Sequence, residues 1–352
     1  MLNWQYLKFK DINLEDSFFD SLKEDYSEFS DWFERKCENN AYVFKNDNNE
    51  IDGFLYHKIE EEAVTDISPP LPPKKRLKIG TFKVNAHGTR LGERFIKKSL
   101  DFALLEGVSE VYVTIFPKHE ALIDSFKRYG FREVADKTTT NGVELVLLKQ
   151  MGVYIGEVKS DYPYIDNTGR KFILSLYPEW HSRLLPDSIL NTESKDAVVK
   201  DISHTNSIHK VYLTAMSGVE SLCKGDILVI YRTSDKKGPA HYRSVATSIC
   251  VVEETKDISC FSTLDEFIGY TASYSIFKKR ELEAFYSEKK YPTIIKFCYN
   301  VALSKRVTRG EMIDDLGMSA NQYWGFFELT ESQFEGIIKK GKVNESLIIN
   351  KA

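Results

Sequence analysis

The stretch LKIGTFKVNAHGTRLGERFIKKSLDFAL, residues 77–104, decides the fold of the first half of this 352-residue chain. Leu77–Val84 alternates as a strand does, and the amphipathic run Glu93–Leu105 predicts a helix that stops at Gly107. A short loop with glycines joins them directly. Backbone amides in such a loop, with a helix N-terminus behind them, can bind a pyrophosphate, and glycine is needed where a side chain would block the anion.

A second stretch, VYVTIFPKHEALIDSFKRYGF at residues 111–131, repeats the order of strand and helix. Val111–Phe116 predicts a strand, and Lys118–Arg128 predicts a helix that closes at Gly130. The other elements predicted in this half are strands at Trp4–Phe9, Ala41–Phe44, Ile51–Ile59 and Val143–Leu148, and a largely helical segment at Leu14–Asn40.

Together these two stretches resemble the GNAT N-acetyltransferase superfamily. In that superfamily the loop reads Gln/Arg-x-x-Gly-x-Gly/Ala, and the aligned hexad here runs from His87 to Gly92 with Arg90 in the place of the first glycine. The helix of the second stretch has His119 where the superfamily has an asparagine, and Phe126 where it has a tyrosine. The resemblance implies a GNAT fold, which is a mixed central sheet with flanking helices.

The resemblance also implies acetyl-CoA as the cofactor of this domain, which we assign to residues 1–150. The pantetheine arm is expected to pair with the backbone at the edge of the strand Leu77–Val84. The residues implied to bind the cofactor are Phe82, Lys83, Val84, His87, Gly88, Thr89, Arg90, Leu91, Gly92, Glu93, His119 and Phe126.

Acetyl transfer to an amine requires a base for the nucleophile and an acid for the leaving thiolate. Phe126 has no proton to give. The alternatives are that another group donates the proton, that water donates it, or that the domain binds the cofactor without catalysis. His119 is the candidate acid because an imidazole titrates near neutral pH. The nearest carboxylates that could serve as the base follow the strand Ile51–Ile59: they are Glu60, Glu61, Glu62 and Asp66, of which Glu62 and Asp66 are selected as candidates.

Residues 151–207 are rich in Asp, Asn, Ser and Pro, and we expect them to link two domains. Within them the aromatic segment Leu174–Pro186 must bury its apolar side chains, so we expect it to clasp the domains together. From Lys210 onward short strands alternate with small helices, which predicts a compact β-barrel over residues 208–352.

The runs VYLTAMSGVESLCKGDILVIYRT and YRSVATSICVVEE, residues 211–233 and 242–254, resemble PUA-like domains, the group that includes the ASCH and EVE families. The resemblance implies recognition of RNA, or of modified bases in nucleic acid, by stacking aromatic rings and by cations at phosphates. The candidate nucleic-acid-binding residues are Arg232, Tyr242, Arg243, Lys278, Lys279, Arg280, Lys305, Arg306 and Trp324.

Composition excludes several classes of protein. The net charge of −4 gives no global basic field, and no apolar run reaches the roughly 18 residues of a membrane span. The N-terminus has no apolar signal core, and the five cysteines are scattered without a metal-binding spacing. We therefore expect a cytoplasmic protein with reduced thiols, no metal site and no membrane partner.

The sequence thus predicts an α+β protein in which a GNAT domain precedes a PUA-like β-barrel. The expected function is acetyl-CoA-dependent N-acetyl transfer, with the second domain recruiting RNA or tRNA. One alternative is a degenerate GNAT fold that serves as a nucleic-acid-binding regulatory or defence protein. Another is a protein or small-molecule acetyltransferase whose barrel binds a partner. The sequence leaves three questions open: the identity of the acetyl acceptor, whether the second domain prefers RNA or DNA, and whether the protein is a monomer or a homodimer.

Overall fold

The chain forms two units. The computed structural model describes residues 4–46, 48–85, 90–185, 188 and 207–349. Contacts between residues divide the chain into Met1–Val153 and Tyr154–Ala352. No helix in the described part of the chain is both long and apolar enough to cross a membrane.

The first unit contains a seven-stranded mixed sheet with flanking helices, the arrangement that the sequence predicted. Its strands are β1 Trp4–Lys8, β2 Asn40–Lys45, β3 Ile51–Glu60, β4 Arg76–Val84, β5 Glu110–Ile115, β6 Arg132–Thr139 and β7 Gly142–Gln150. Its helices are α1 Asp20–Asp25, α2 Phe29–Arg35, α3 Leu91–Leu105 and α4 Glu120–Arg128. The strand order is β1-β2-β3-β4-β5-β7-β6, and only β4 and β5 are parallel neighbours.

The helical segment predicted at Leu14–Asn40 is instead broken into two short helices. Helix α1 ends at Asp25, because the backbone of the next residue, Tyr26, is extended, and α2 begins only at Phe29. Strand β6 was not predicted, because its sequence REVADKTT is mostly polar and four of its eight residues are exposed. Strand β6 shows little alternation because much of it is exposed. The break after α1 leaves no trace in the sequence because aromatic residues continue at helical spacing across it.

An aromatic core fills the space under the first half of this sheet. Phe9, Phe19 and Phe54 are fully buried, and Phe33 is nearly so. Burying each such ring contributes about 1.5–3 kcal/mol relative to leaving it in water. This core fixes α1 and α2 against β3, and it therefore fixes the side chains that line the cavity described below.

The second unit is built around a six-stranded open sheet of order β10-β13-β12-β11-β9-β14. Its strands are β8 Ile165–Asp166, β9 Lys171–Leu176, β10 His209–Thr214, β11 Ile227–Arg232, β12 Val245–Asp257, β13 Thr293–Thr308, β14 Phe326–Glu328 and β15 Ile348–Ile349. Its helices are α5 Val158–Asp161, α6 Pro178–Leu184, α7 Ala240–Arg243, α8 Leu264–Thr271, α9 Lys279–Glu288, α10 Arg309–Asp314 and α11 Glu331–Gly341. Strands β8 and β15 pair separately.

The predicted closed barrel is not present among the described residues. The two edge strands, β10 and β14, do not pair, so the sheet stays open. Along β11, Leu228 and Ile230 pack into one apolar cluster while Ile227 and Val229 pack into another. The sheet is thus covered on both faces. Its apolar side chains are shielded from water by the segments packed on each face, without closure into a barrel.

The segment predicted as a linker and clasp belongs to the second unit. Strand β9 pairs in parallel with β11 and antiparallel with β14. Leu174, Leu176 and Leu184 are buried in the core of that unit. Pro186 lies outside the described residues. The apolar side chains do bury themselves, as expected, but within one unit, because a strand neighbour was available to β9.

Candidate active site

A cavity of about 340 Å³ lies in the first unit where β4 and β5 separate. The two strands pair in parallel from Arg76 opposite Glu110 to Ile79 opposite Val113, and no pairing between them follows in the described residues. Gly80 is an extra residue on β4, because β3 pairs its Tyr56 and His57 with residues on either side of that glycine. A bulge of this kind redirects a strand.

The separation leaves one edge of β4 open. From Thr81 to Val84 this strand still pairs with β3 on its other side. The edge toward β5 therefore presents backbone N–H and C=O groups without a neighbouring strand. An extended ligand arm with amide groups could pair with such an edge as an added strand does.

Helix α3 follows β4 after a short loop. His87, Gly88 and Thr89 lie outside the described residues. Arg90 caps the helix in the left-handed conformation, with φ of 57°. Among the described residues, a Cβ added to Gly92 would meet only a Val84 methyl at 3.9 Å, so they leave the first turn of α3 open at this position.

The remaining predicted cofactor residues divide between the cavity and the core. Phe82 lines the cavity, and its ring lies 5.2 Å from that of Phe126. Phe126 is fully buried between Phe82 and Phe131 and does not line the cavity, so its contact with the cofactor stays a prediction. Leu91 and Glu93 are also buried, on the face of α3 that packs into the unit.

Lys83 is directed away from the β4 edge by its side-chain partners. Its ammonium donates to the carbonyl oxygen of Phe18 and to the hydroxyl of Ser21. Burial lowers its pKa, and the nearby carboxylates Asp20 and Asp25 offset part of this effect. Lys83 therefore ties β4 to the segment before and within α1, and only its backbone is placed for a ligand at the strand edge.

Glu60 is a cavity carboxylate that is held by two side-chain donors. It accepts hydrogen bonds from Lys58 Nζ at 2.7 Å and from the Tyr112 hydroxyl. Burial would raise the pKa of Glu60, but these two hydrogen bonds and the charge of Lys78 outweigh burial and hold the pKa below its ordinary value. Burial lowers the pKa of Lys78, which also lines the cavity.

Tyr26 and Glu144 form a second polar pair in the same cavity. The Tyr26 hydroxyl donates to Glu144 Oε1 at 2.6 Å, and Glu144 is 3% exposed. Burial and then this hydrogen bond raise the pKa of Tyr26. The break between α1 and α2 places Tyr26 here, because its extended backbone turns the side chain out of the helical pattern.

His119, the candidate acid, does line the cavity. It precedes α4, and its Nε2 lies 3.3 Å from Asp25 Oδ2 at the end of α1. Lys118 also binds Asp25. The candidate bases Glu62 and Asp66 do not line the cavity: both are exposed, and Asp66 pairs with Lys137 at 2.8 Å. The structure thus places both on the surface, where the chain turns after Glu60, and their role as bases stays a prediction.

Sequence reasoning did not select Tyr26, Lys78 or Glu144 for the site. One signal could have found Glu144: it is the one charged residue between Val143 and Leu148 in an otherwise apolar strand. A carboxylate on a core-facing position is rarely buried without a partner. No comparable signal marks Tyr26, which is 118 positions away from Glu144 in the chain.

In the second unit, two of the predicted nucleic-acid-binding residues are buried. Arg232 is 4% exposed and Trp324 is 9% exposed. The indole of Trp324 donates to the Ser319 carbonyl oxygen at 3.2 Å, and its ring lies 5.3 Å from that of Tyr231. Stacking of a base on Trp324 is therefore wrong for the structure described, because the ring is used in the core.

Four other predicted residues lie where α7 meets the end of β13 and the start of α10. Tyr242 is 70% exposed, and Arg243 forms a bidentate pair with Asp235 at 2.5 Å. Lys305 is exposed and pairs with Glu311 at 2.9 Å, while Arg306 donates to the Thr247 carbonyl oxygen at 3.2 Å. The cations here are already engaged by partners within the chain, and Tyr242 is the exposed ring among them.

Lys278, Lys279 and Arg280 lie at the exposed start of α9, a helix that packs on α8. The three cations are neighbours at the same end of this helix. A separate cavity of about 270 Å³ in the second unit is lined by Asp161, Asp166 and others, and by none of the predicted nucleic-acid-binding residues. Carboxylates at that cavity disfavour contact with phosphate.

No protein-family model matches the chain, and no curated protein matches it significantly. Among solved structures, the NatC complex bound to Gag peptide and CoA matches 42% of this chain and 98% of its own, at 14% identity and a TM-score of 0.30. Ard1 from Thermoplasma volcanium matches 42% and 95%, at 15% identity and a TM-score of 0.33. A mutant of ZmASCH from Zymomonas mobilis matches 48% and 94%, at 7% identity and a TM-score of 0.30. At such values these similarities carry no argument about function.

Proposed function

We propose that the first unit is an N-acetyltransferase that uses acetyl-CoA and acts on an amine bound in the cavity. The observation that carries the proposal is the departure of β4 from β5 at Gly80, directly beside the cavity and one loop before α3. This arrangement offers an open strand edge for the pantetheine arm of CoA and the start of a helix for its pyrophosphate.

The residues present fit such a cofactor. The backbone of Phe82 to Val84 would hold the pantetheine arm, and the loop from His87 to Gly92 would hold the pyrophosphate. The open position at Gly92 supports this placement, because nothing in the described residues fills the space beside it except a Val84 methyl at 3.9 Å. When bound, acetyl-CoA would supply the activated acetyl thioester.

Glu60 is the proposed base, in place of Glu62 and Asp66. Its lowered pKa keeps it ionised at neutral pH, so it can accept a proton from an ammonium acceptor directly or through water. The charges of Lys78 and Lys58 stabilise its ionised form, which is the form that accepts a proton. His119 remains the proposed proton donor, since Phe126 is buried and has no proton to give.

Glutamate-to-glutamine substitution tests this assignment. Glu60→Gln should lower kcat/KM for acetyl transfer by about 10²–10⁴-fold, with the Kd for CoA nearly unchanged. Glu61→Gln is the matched control, because Glu61 is the exposed neighbour outside the cavity. Thiol release from acetyl-CoA with a panel of amine acceptors is the assay, and calorimetry gives the Kd.

Two outcomes contradict the proposal. If folded wild-type protein binds neither acetyl-CoA nor CoA, the cofactor assignment fails and the degenerate-fold alternative is favoured. If it binds CoA but Glu60→Gln and Glu61→Gln turn over equally, the base assignment fails while the cofactor assignment stands.

We further propose that the second unit recruits a nucleic-acid substrate, with Tyr242 as a stacking platform. Its 70% exposure, on a short helix that contacts β13 and α10, supports this role. Tyr242→Ala should weaken binding of single-stranded RNA by about 5- to 150-fold, the range for loss of one base stack. Tyr177→Ala, which removes a similarly exposed ring, is the control. Equal effects of the two variants, or binding insensitive to salt, would contradict nucleic-acid recruitment.

A further inference from the structure

Three potential metal ligands lie on adjacent strands of the second unit, far apart in sequence. His209 is on β10, Cys298 is on β13 and Glu253 is on β12. His209 and Cys298 are directly paired across their strands. Glu253 is the extra residue in a bulge between Val252 and Glu254, so the bulge changes its direction relative to a regular strand.

The three side chains converge on one point. The Cys298 sulfur lies 3.3 Å from Glu253 Oε1 and 3.7 Å from His209 Nδ1, and Glu253 Oε1 directly contacts the same Nδ1. The thiol and the carboxylate therefore meet at one ring nitrogen. A nucleophilic relay would place them at opposite ring nitrogens, so that the base is oriented from one side and accepts a proton on the other. Convergence on one atom is the arrangement of a chelating set.

The second carboxylate oxygen of Glu253 is occupied separately. Lys159 Nζ lies 3.5 Å from Oε2 and Lys296 Nζ lies 3.8 Å from it. These contacts fix the carboxylate so that Oε1 points toward His209 and Cys298. Outer partners that orient a ligating carboxylate are a usual feature of metal sites.

The surroundings are dry. His209 is 2% exposed, Cys298 is fully buried, and the Tyr274 ring lies 5.5 Å from the His209 ring. Burial of a carboxylate, an imidazole and a thiol together is costly unless their polar atoms are satisfied. Here the three groups contact one another, and a bound cation would replace those contacts with three ligand bonds.

We propose that His209, Glu253 and Cys298 bind one Zn²⁺ ion that joins β10, β12 and β13. A nitrogen, a sulfur and an oxygen donor are the set that zinc accepts, and tetrahedral ligands at normal bond lengths lie about 3.3–3.6 Å from one another. Two of the three separations already lie near this range, and the His209–Glu253 contact widens to admit the ion. Three protein ligands leave the fourth position to water. The site is independent of acetyl transfer in the first unit.

The test uses the full chain with any polyhistidine tag removed, since a tag binds zinc itself. Elemental analysis of protein purified with zinc present should give about one zinc per chain. Co²⁺ added to the chelator-treated protein should produce a sulfur-to-metal charge-transfer band and tetrahedral visible bands. Cys298→Ser should abolish the charge-transfer band and weaken zinc binding by more than about 100-fold, because it removes a ligand rather than an outer partner.

Cys250→Ser is the matched control, because Cys250 is also fully buried but lies in the cluster on the other face of the sheet. It should keep the stoichiometry and the spectrum. If Cys298→Ser does not fold, Glu253→Gln keeps the shape and should still lose zinc. The proposal is overturned if the wild-type protein holds no zinc and gives no Co²⁺ spectrum, or if Cys298→Ser and Cys250→Ser behave alike.

Discussion

Gly53→Ala should loosen helix α3 on the sheet of the first unit, because Gly53 is the point of closest approach between them. A Cβ at this position would lie 2.5 Å from Phe95 Cζ and 3.1 Å from Leu91 Cδ2. Carbon atoms in contact prefer about 3.5–4.0 Å, so the ring must move by about 1 Å or more. Phe95 is fully buried and Leu91 is 3% exposed, which leaves neither of them free space to move into.

The cost is that of an overpacked core, about 1–3 kcal/mol. Because exchange of protected amides follows the free energy of local opening, this cost predicts exchange about 5- to 150-fold faster. Hydrogen exchange read by mass spectrometry on peptides covering α3 and β3 measures it in the full chain. Peptides from the second unit should keep their wild-type rates.

Gly92→Ala is the control substitution on the same helix. Its new Cβ meets only a methyl at 3.9 Å, and alanine is the better helix former by up to about 1 kcal/mol. Protection of α3 should therefore stay equal or rise. Unchanged exchange in Gly53→Ala, or equal acceleration in both variants, would refute the close packing inferred at Gly53.

Three further predictions follow from other positions. Gly92→Glu should abolish CoA binding, because its carboxylate would face the pyrophosphate; unchanged affinity by calorimetry in folded protein would remove the cofactor assignment. Tyr26→Phe should leave Glu144 buried without its donor and cost about 1–3 kcal/mol in urea unfolding, whereas a variant as stable as wild type would show that the pair is not needed. Burial lowers the pKa of His181 to about 3, so the unfolded chain takes up this proton near pH 6.5 while the folded chain does not. His181 alone should thus contribute a loss of stability of about 1.4 kcal/mol per pH unit below 6.5, in addition to a like contribution from His57, whose pKa burial also lowers to about 3. His181→Gln should reduce the summed slope in urea unfolding, which an unaltered slope would contradict.

The sequence predicted most of the first unit because its strands alternate and its helix α3 is amphipathic. Strand β4 was predicted as Leu77–Val84 and is observed as Arg76–Val84, and α3 was predicted as Glu93–Leu105 and begins two residues earlier. The break at Tyr26 could not be predicted in the same way. Aromatic residues continue at helical spacing across it, so the periodic pattern conceals the turn that brings Tyr26 to Glu144.

In the second unit the sequence predicted strands but not how they assemble. Strand β9 lies in a polar region, and its sequence KFILSL is a short apolar run that was assigned to a clasp. The run is largely apolar because both faces of the sheet are covered. A short apolar run of this kind is typical of a buried strand and of other buried segments alike, so periodicity does not distinguish them. Whether a sheet closes depends on the pairing of its edges, and composition carries no information on that.

The candidate sites show the limit of reading spacing along a chain. Metal-binding motifs are recognised when ligands are close in sequence, but His209, Glu253 and Cys298 are separated by 44 and 45 positions. Their convergence depends on the register between three strands and on one bulge. A shift of one residue in that register would turn a ligand to the other face.

A comparison of the two longer parallel strand pairs among the described residues explains why the backbone-lined cleft lies in the first unit. The pair β9 and β11 stays in register over six residues, from Lys171 opposite Ile227 to Leu176 opposite Arg232, so its backbone groups satisfy each other along the whole of both strands. The pair β4 and β5 keeps register for only four residues before the bulge at Gly80. The backbone of β4 is therefore open inside the sheet, beside the cavity, whereas the second unit leaves backbone open only at its edge strands β10 and β14. Substitutions along β4 should then change binding of the proposed cofactor mainly through the path of the backbone.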